Sequence, residues 1–325
     1  MGGDMKAAIS DIMLAPWITG VIVTAIRLRI FSILSVQELS AGEIAERSDT
    51  IPEYLTTLLD ACVAMNFLEV ENGKYRNSHF SRVYFVEGQR LYMGDFLKLV
   101  NDESLQWFQL PDIIRGKERI VEEQPYIRSD YKTFVSAMNS IGHLCEAEAL
   151  RNLVDLSRCR KMIDVGGGSG LYSLALCQKY PGLHSTIFDS KETLSVTKEF
   201  LEGTQERTRI VLHEGDFLKD SLGDDVDVVL LSDVVYEDAA ARKVLGSAWD
   251  CLNQDGVLIV RGYYADPERS RPLFPALFAV KELVDNPERR VMSIQVLERI
   301  VREMGFRDVR ISPLTELSFA VIGGK

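Results

Sequence analysis

The spacing of apolar residues changes near residue 155. Ahead of that point it is helical: Leu55, Leu58, Leu59 and Cys62 recur at intervals that place them on one face, predicting a helix over residues 51–66. Ser40-Ala-Gly-Glu43 and Thr50-Ile-Pro-Glu53 each have the form of a capping box, in which a hydroxyl accepts an orphan N–H and a glutamate reaches back to the cap. Residues 67–76 read as two short extended runs about Asn72-Gly73, a dipeptide that tolerates the positive φ of a tight hairpin. Helix, helix and hairpin in that order predict a winged helix.

After residue 155 short apolar runs alternate with helical ones. Strands are expected at 161–165, 185–189, 209–213, 226–231 and 256–261, with helices between most of them. That alternation predicts an α/β fold, an open and mostly parallel sheet with helices on both faces. Residues 306–311 and 317–322 flank a short Ser-Pro turn region and predict a closing antiparallel pair. The pattern divides the chain into a mostly helical winged-helix domain at 1–105, a helical linker at 106–155 and a sheet domain at 156–325.

In such a sheet a ligand lies beyond the carboxyl ends of the strands, against the first strand-to-helix turn. That turn is Asp164-Val-Gly-Gly-Gly-Ser-Gly170, with four glycines in five residues. A phosphate loop needs Lys-Ser/Thr after its last glycine, and Leu171-Tyr172 stands there instead. A dinucleotide fingerprint needs a glycine three places after Gly168, which is again Leu171. What remains is an acidic residue, Asp164, leading into G-x-G-x-G at Gly166, Gly168 and Gly170. This resembles the nucleotide-binding turn of S-adenosylmethionine (SAM) methyltransferases. SAM has an ammonium, a carboxylate and a sulfonium but no phosphate, so close backbone approach beside acidic residues suits it. Asp189, at the end of the second strand, is placed to accept the ribose hydroxyls. Asp216 and Phe217, after the third, are placed near the adenine, and Ser232 at the end of the fourth is assigned to the cofactor with them.

The charge balance narrows the partners. With 37 Lys and Arg against 48 Asp and Glu, the net charge is −11, which argues against an extended phosphate backbone. The second helix of the winged helix carries Glu53 and Asp60 and no Lys or Arg, so it offers acceptors where a groove-reading helix needs donors. No nucleic-acid partner is expected. The uncharged run between Asp11 and Arg27 contains Pro16 and is shorter than the ~20 residues of a membrane span, so no membrane partner is expected and the location is read as cytoplasmic. Cysteines at 62, 145, 159, 177 and 251 show neither C-x-x-C spacing nor a histidine-paired metal pattern, and read as packing thiols with no metal site.

Residues 162–189, then Arg209-Ile-Val-Leu-His-Glu-Gly-Asp-Phe-Leu218, then residues 225–260, are together similar to the large O-methyltransferase family that includes plant caffeate-type and bacterial polyketide enzymes. The likeness runs over nearly the whole chain. It implies a Rossmann-like sheet that binds SAM, a small-molecule acceptor, and an N-terminal winged-helix domain that makes an intertwined homodimer, giving the apolar segment at 13–26 a role. It also implies that Phe134 and Met138, four apart on one helix face, line the methyl-transfer pocket as the family's F-x-x-x-M stretch does.

One part of the family pattern is missing. The segment that reads L-H-D-W in O-methylating members, its histidine acting as base, is here Val235-Tyr-Glu-Asp238, with Tyr236 at the histidine position. The family glutamate after the fifth strand falls at Arg261 or Gly262, and a second one at about Val296. Tyr236 and His143 are the candidate catalytic residues in their place. The expected activity is O- or C-methylation of an aromatic or other ring-containing metabolite whose acceptor atom need not be a simple phenol. A catalytically silent SAM-binding sensor or scaffold is the alternative.

Overall fold

The apolar runs fold into two separate sheets. The structure, a computed structural model, describes residues 2–117, 131–266, 268, 271–286 and 291–325. The chain divides into two compact units, Met1–Leu105 and Gln106–Lys325, and the segment at 106–155 falls in the second.

In the first unit β1 (Leu39–Ser40), β2 (Leu68–Glu71) and β3 (Lys74–Asn77) form an antiparallel sheet in the order β1-β3-β2. The hairpin turns at Asn72 and Gly73, with φ of 51° and 76°, the left-handed conformation that a two-residue connection between twisted strands requires. Helices Ala41–Ser48 and Pro52–Ala64 pack over it through Ile44, Leu55, Leu59, Cys62 and Leu68, completing a winged helix. Ser40 forms its capping box: its hydroxyl accepts from the Glu43 N–H, and the Glu43 carboxylate accepts from the Ser40 N–H at 2.8 Å. Thr50 does not form one. Pro52 takes the first helical position, which moves the cap to Ile51 and leaves the Thr50 hydroxyl bonded to that of Ser48 at 2.9 Å.

The N-terminal helix, Gly2–Arg27, runs on through Pro16. An 18-residue window in its stretch Ile9–Arg27 has a mean hydropathy of 1.8 and is only 17% buried, so by length and composition the stretch passes as a span although the uncharged run inside it is shorter. The C-terminal part, with Ile22, Ala25 and Ile26, belongs to the unit's core, whereas Ile12, Met13 and Trp17 are exposed.

The second unit holds a seven-stranded sheet in the order β6-β5-β4-β7-β8-β10-β9. Its strands are β4 (Lys161–Val165), β5 (His184–Asp189), β6 (Ile210–Glu214), β7 (Val226–Ser232), β8 (Leu252–Gly262), β9 (Arg307–Pro313) and β10 (Phe319–Gly324). The first five are parallel, and β10 and β9 close the edge antiparallel, as the spacing predicts. Two apolar cores, one built around Val229, Leu231 and Val260 and the other around Met162, Ile187 and Leu230, fill the alternate faces. The strand order reverses at β4, which is flanked by β5 and β7, so the crevice of an open α/β sheet lies at the carboxyl end of β4.

Replacing Ser40 by Ala is expected to lower the stability of the first unit by ~1 kcal/mol, and Thr50→Ala to change it by less than ~0.5 kcal/mol. Urea unfolding of the two variants checks this.

Candidate active site

β4 delivers the glycine turn to the crevice. Gly166, Gly168 and Gly170 have φ of 66°, 55° and 79°, and Gly170 is the left-handed cap of helix Leu171–Lys179. A side chain at Gly166 would lie 2.4 Å from Val234 Cγ1 and 3.7 Å from Phe217 Cε1, so the loops after β7 and β6 close onto the turn there. A side chain at Gly168 would meet nothing within 4 Å, which leaves that side of the turn open.

Two carboxylates support this turn, Asp164 against Gly167 and Asp189 against Gly168. Asp164 is fully buried; its Oδ2 accepts from the Ser173 hydroxyl at 2.7 Å, while its Oδ1 has no hydrogen-bond partner among the described residues. Burial pushes the Asp164 carboxyl up to about 6, against the pull of Ser173 and with a further push from Asp189. Asp189 accepts from the Gly168 N–H at 3.0 Å and from the Ser190 N–H at 2.7 Å, and burial holds it above the ordinary carboxylate range as well. An orphaned carboxylate oxygen buried in the glycine turn fits a cationic group, which is what the ammonium of SAM supplies.

The other cofactor candidates are arranged unevenly. Phe217 reaches the glycine turn, but the Asp216 carboxylate is engaged in its own loop, accepting from the Leu218 N–H at 2.9 Å and pairing with Lys219 at 2.7 Å. Ser232 is buried at the end of β7, in register with Arg261 on β8.

Phe134 and Met138 lie on helix Tyr131–Ile141, whose buried face is Val135, Ala137, Ser140 and Ile141. Neither belongs to the core, and Phe134 is 37% exposed. The helix continues into a π-helical turn, Gly142–Glu146, of the kind that recurs at functional sites. Its Gly142 abuts the helix that follows the glycine turn, since a side chain there would lie 2.8 Å from Leu171 Cδ2. His143 is the next residue and is half-buried.

Tyr236 occupies the loop between β7 and helix Asp238–Cys251, two residues beyond Val234. Its hydroxyl donates to Asp233, a residue in the left-handed region with φ of 59°. The other Asp233 oxygen pairs with Arg261. Arg261 is 1% exposed, and on its far side Nη2 and Nε donate to Glu146 Oε2 at 2.9 and 3.2 Å. Glu146 is fully buried at the end of the π-turn and also accepts from the hydroxyls of Thr315 and Ser318. The guanidinium faces the rings of Tyr172 and Tyr263, with centroids at 5.6 and 4.5 Å. Around Tyr236, Phe278 stands at 5.2 Å, and Phe274 and Phe278 pack on Tyr263 at 4.8 and 5.5 Å. Burial, with Tyr264 and Tyr263 nearby, holds the Tyr236 hydroxyl well above its ordinary range, so it stays a phenol and is no base.

Sequence reasoning noted Arg261 only as a missing glutamate and did not reach Glu146. An arginine ending the apolar run Val257-Leu-Ile-Val260 does signal a buried cation in need of a carboxylate, but its partner lies 115 positions earlier.

The family model of an O-methyltransferase domain matches residues 123–307, and that of an O-methyltransferase dimerisation domain matches residues 10–87. The chain is 29% identical to acetylserotonin O-methyltransferase of Gallus gallus over 330 aligned positions, covering 95% of this chain and 94% of that one. It is 27% identical to 3-hydroxy-5-methyl-1-naphthoate 3-O-methyltransferase of Streptomyces sahachiroi, over 93% of this chain and 90% of the relative. The solved structure of human N-acetylserotonin methyltransferase in complex with SAM superposes with a TM-score of 0.88 at 24% identity, covering 99% and 97% of the two chains.

The raised Asp164 carboxyl gives a pH signature. Its folded value near 6 exceeds its unfolded value, so the free protein holds that proton and loses up to ~3 kcal/mol as pH rises from about 4 through 6. A bound ammonium favours the ionised form, so SAM affinity is expected to rise between pH 5 and 7 with release of about one proton near the lower end. Asp164→Asn is expected to flatten that rise and weaken SAM roughly tenfold or more at pH 7 without lowering the stability of the free protein. Calorimetric titration in buffers of different ionisation heat checks both.

Proposed function

Because the chain belongs to the O-methyltransferase family and carries that family's dimerisation domain, we propose that it moves the SAM methyl group to a planar, ring-containing metabolite. It is a methyltransferase, and its cofactor is S-adenosylmethionine. The observation that carries the substrate reading is the half-buried aromatic wall of Tyr236, on the loop after β7, with Phe274 and Phe278 on helix Leu273–Asp285, which suits a flat apolar ring. The acceptors in the names of the relatives, acetylserotonin and a hydroxynaphthoate, are rings of that kind.

Methyl transfer is an in-line displacement at a sulfonium, and holding the nucleophile against the methyl supplies ~7–11 kcal/mol by effective-molarity arguments. That contribution needs no base. Tyr236 is a phenol and Asp233 pairs with Arg261; we assign His143, in the π-turn that continues the helix of Phe134 and Met138, to assist deprotonation where the acceptor needs it. An enolised or carbon-nucleophilic ring needs none. Purified protein, methyl-deuterated SAM and an extract of host cells are expected to give a labelled product whose fragmentation places the label on oxygen or carbon; SAM binding with no labelled product counts against catalysis.

The exposed apolar side of helix Gly2–Arg27 is assigned to the dimer. The double substitution Ile12→Glu, Trp17→Glu puts two charges on side chains that are 74% and 71% exposed, so it is expected to leave the fold and give a monomer mass by light scattering.

A further inference from the structure

The network at Tyr236 fixes the direction of a hydrogen bond. A phenol has one proton, and that of Tyr236 goes to Asp233. Asp233 is held in place by its second oxygen, bound to Arg261, and by its left-handed backbone. Arg261 is held by Glu146 and flanked by Tyr172 and Tyr263, and Glu146 is held by Thr315 and Ser318. Turning Arg261 or Glu146 away would strand a buried charge, and Asp233 joins that pair to the Tyr236 hydroxyl. Among the described residues the Tyr236 oxygen otherwise receives only a long bond from the Tyr263 N–H, 3.5 Å, so toward a ligand it offers a lone pair and no proton.

The same loop lies over the glycine turn, where Val234 closes on Gly166, and the Tyr236 ring stands beside Phe278. Resting on the reading that a ring binds against this wall, we propose that Tyr236 is a specificity-determining residue that presents a hydrogen-bond acceptor. It selects rings bearing an O–H or N–H over ether or carbonyl rings, and Asp233, Arg261 and Glu146 are positioning residues that fix this polarity. The consequence for chemistry is favourable: a hydroxyl that donates to Tyr236 keeps its own lone pairs for the methyl group. A hydroxyl forced to accept from Tyr236 has one of them occupied.

The test uses full-length protein saturated with S-adenosylhomocysteine and three ring probes, 2-naphthol, 2-methoxynaphthalene and 1-tetralone, titrated by calorimetry. Wild type is expected to bind 2-naphthol roughly tenfold more tightly than the other two, the scale of one hydrogen bond. Tyr236→Phe is expected to erase that preference while leaving 2-methoxynaphthalene unchanged. Asp233→Asn, whose amide can donate to the Tyr236 oxygen and release its proton, is expected to shift the preference toward 1-tetralone, an effect that mere loss of packing would not produce. Equal or tighter binding of 1-tetralone by wild type overturns the proposal, as does a 2-naphthol preference that survives in Tyr236→Phe. Binding of none of the three also overturns it, because the aromatic wall should hold the bare rings. Bound S-adenosylhomocysteine reports that each variant is folded, and its failure to bind wild type would fall on the cofactor reading instead. Should Asp233→Asn not fold, Tyr236→Phe alone decides.

Discussion

A guanidinium with 1% exposure has to be neutralised inside the protein, and much of the candidate site follows from how Arg261 is neutralised. An unpaired charge at that depth would cost several kcal/mol, a large part of the net stability of a domain. Glu146 and Asp233 supply the two carboxylates, and each brings its own segment with it: the π-turn in one case and the loop after β7 in the other. One cation thereby ties helix Tyr131–Ile141 and its continuation to the carboxyl edge of the sheet. An apolar pair of similar volume would pack as well, so the pairing is better understood as a device for geometry than as a source of stability.

The two halves of the site use buried charge in opposite ways. At the glycine turn, Asp164 has an oxygen without a partner among the described residues and a raised proton affinity, an incomplete arrangement that a cationic ligand completes. At the Tyr236 end every charge is already met by the protein, so the network presents a fixed dipole and has nothing to gain by titrating. The first arrangement binds and the second orients. A methyl donor that is itself cationic and an acceptor that needs only alignment call for that division.

What could be read from the sequence was what is local. The glycine turn, the alternation of strands and helices, the closing hairpin of β9 and β10 and the Asn72-Gly73 turn are each specified within a few residues, because positive φ and side-chain period are local constraints. Thr50 failed as a cap for a reason also present in the sequence: Pro52 is better suited to the first helical position than to the third place of a capping box. The π-turn has no such signature, since the inserted residue at 142–146 is set by what Glu146 must reach and not by its neighbours. The pairing of Glu146 with Arg261 was beyond reach for the same reason, as was the wall made by Phe274 and Phe278, which needs the register of a helix against β8.

Tyr236, Asp233 and Arg261 are best understood as one unit. A tyrosine beside the Asp233 carboxylate keeps its proton and exposes an oxygen, so it can recognise a donor without competing for it. Arg261 makes that arrangement stable by fixing Asp233 as an acceptor, and Glu146 makes Arg261 tolerable at its depth. Catalysis in such a site rests on approach and alignment, and any proton that must leave does so from a ligand already aimed at the methyl group.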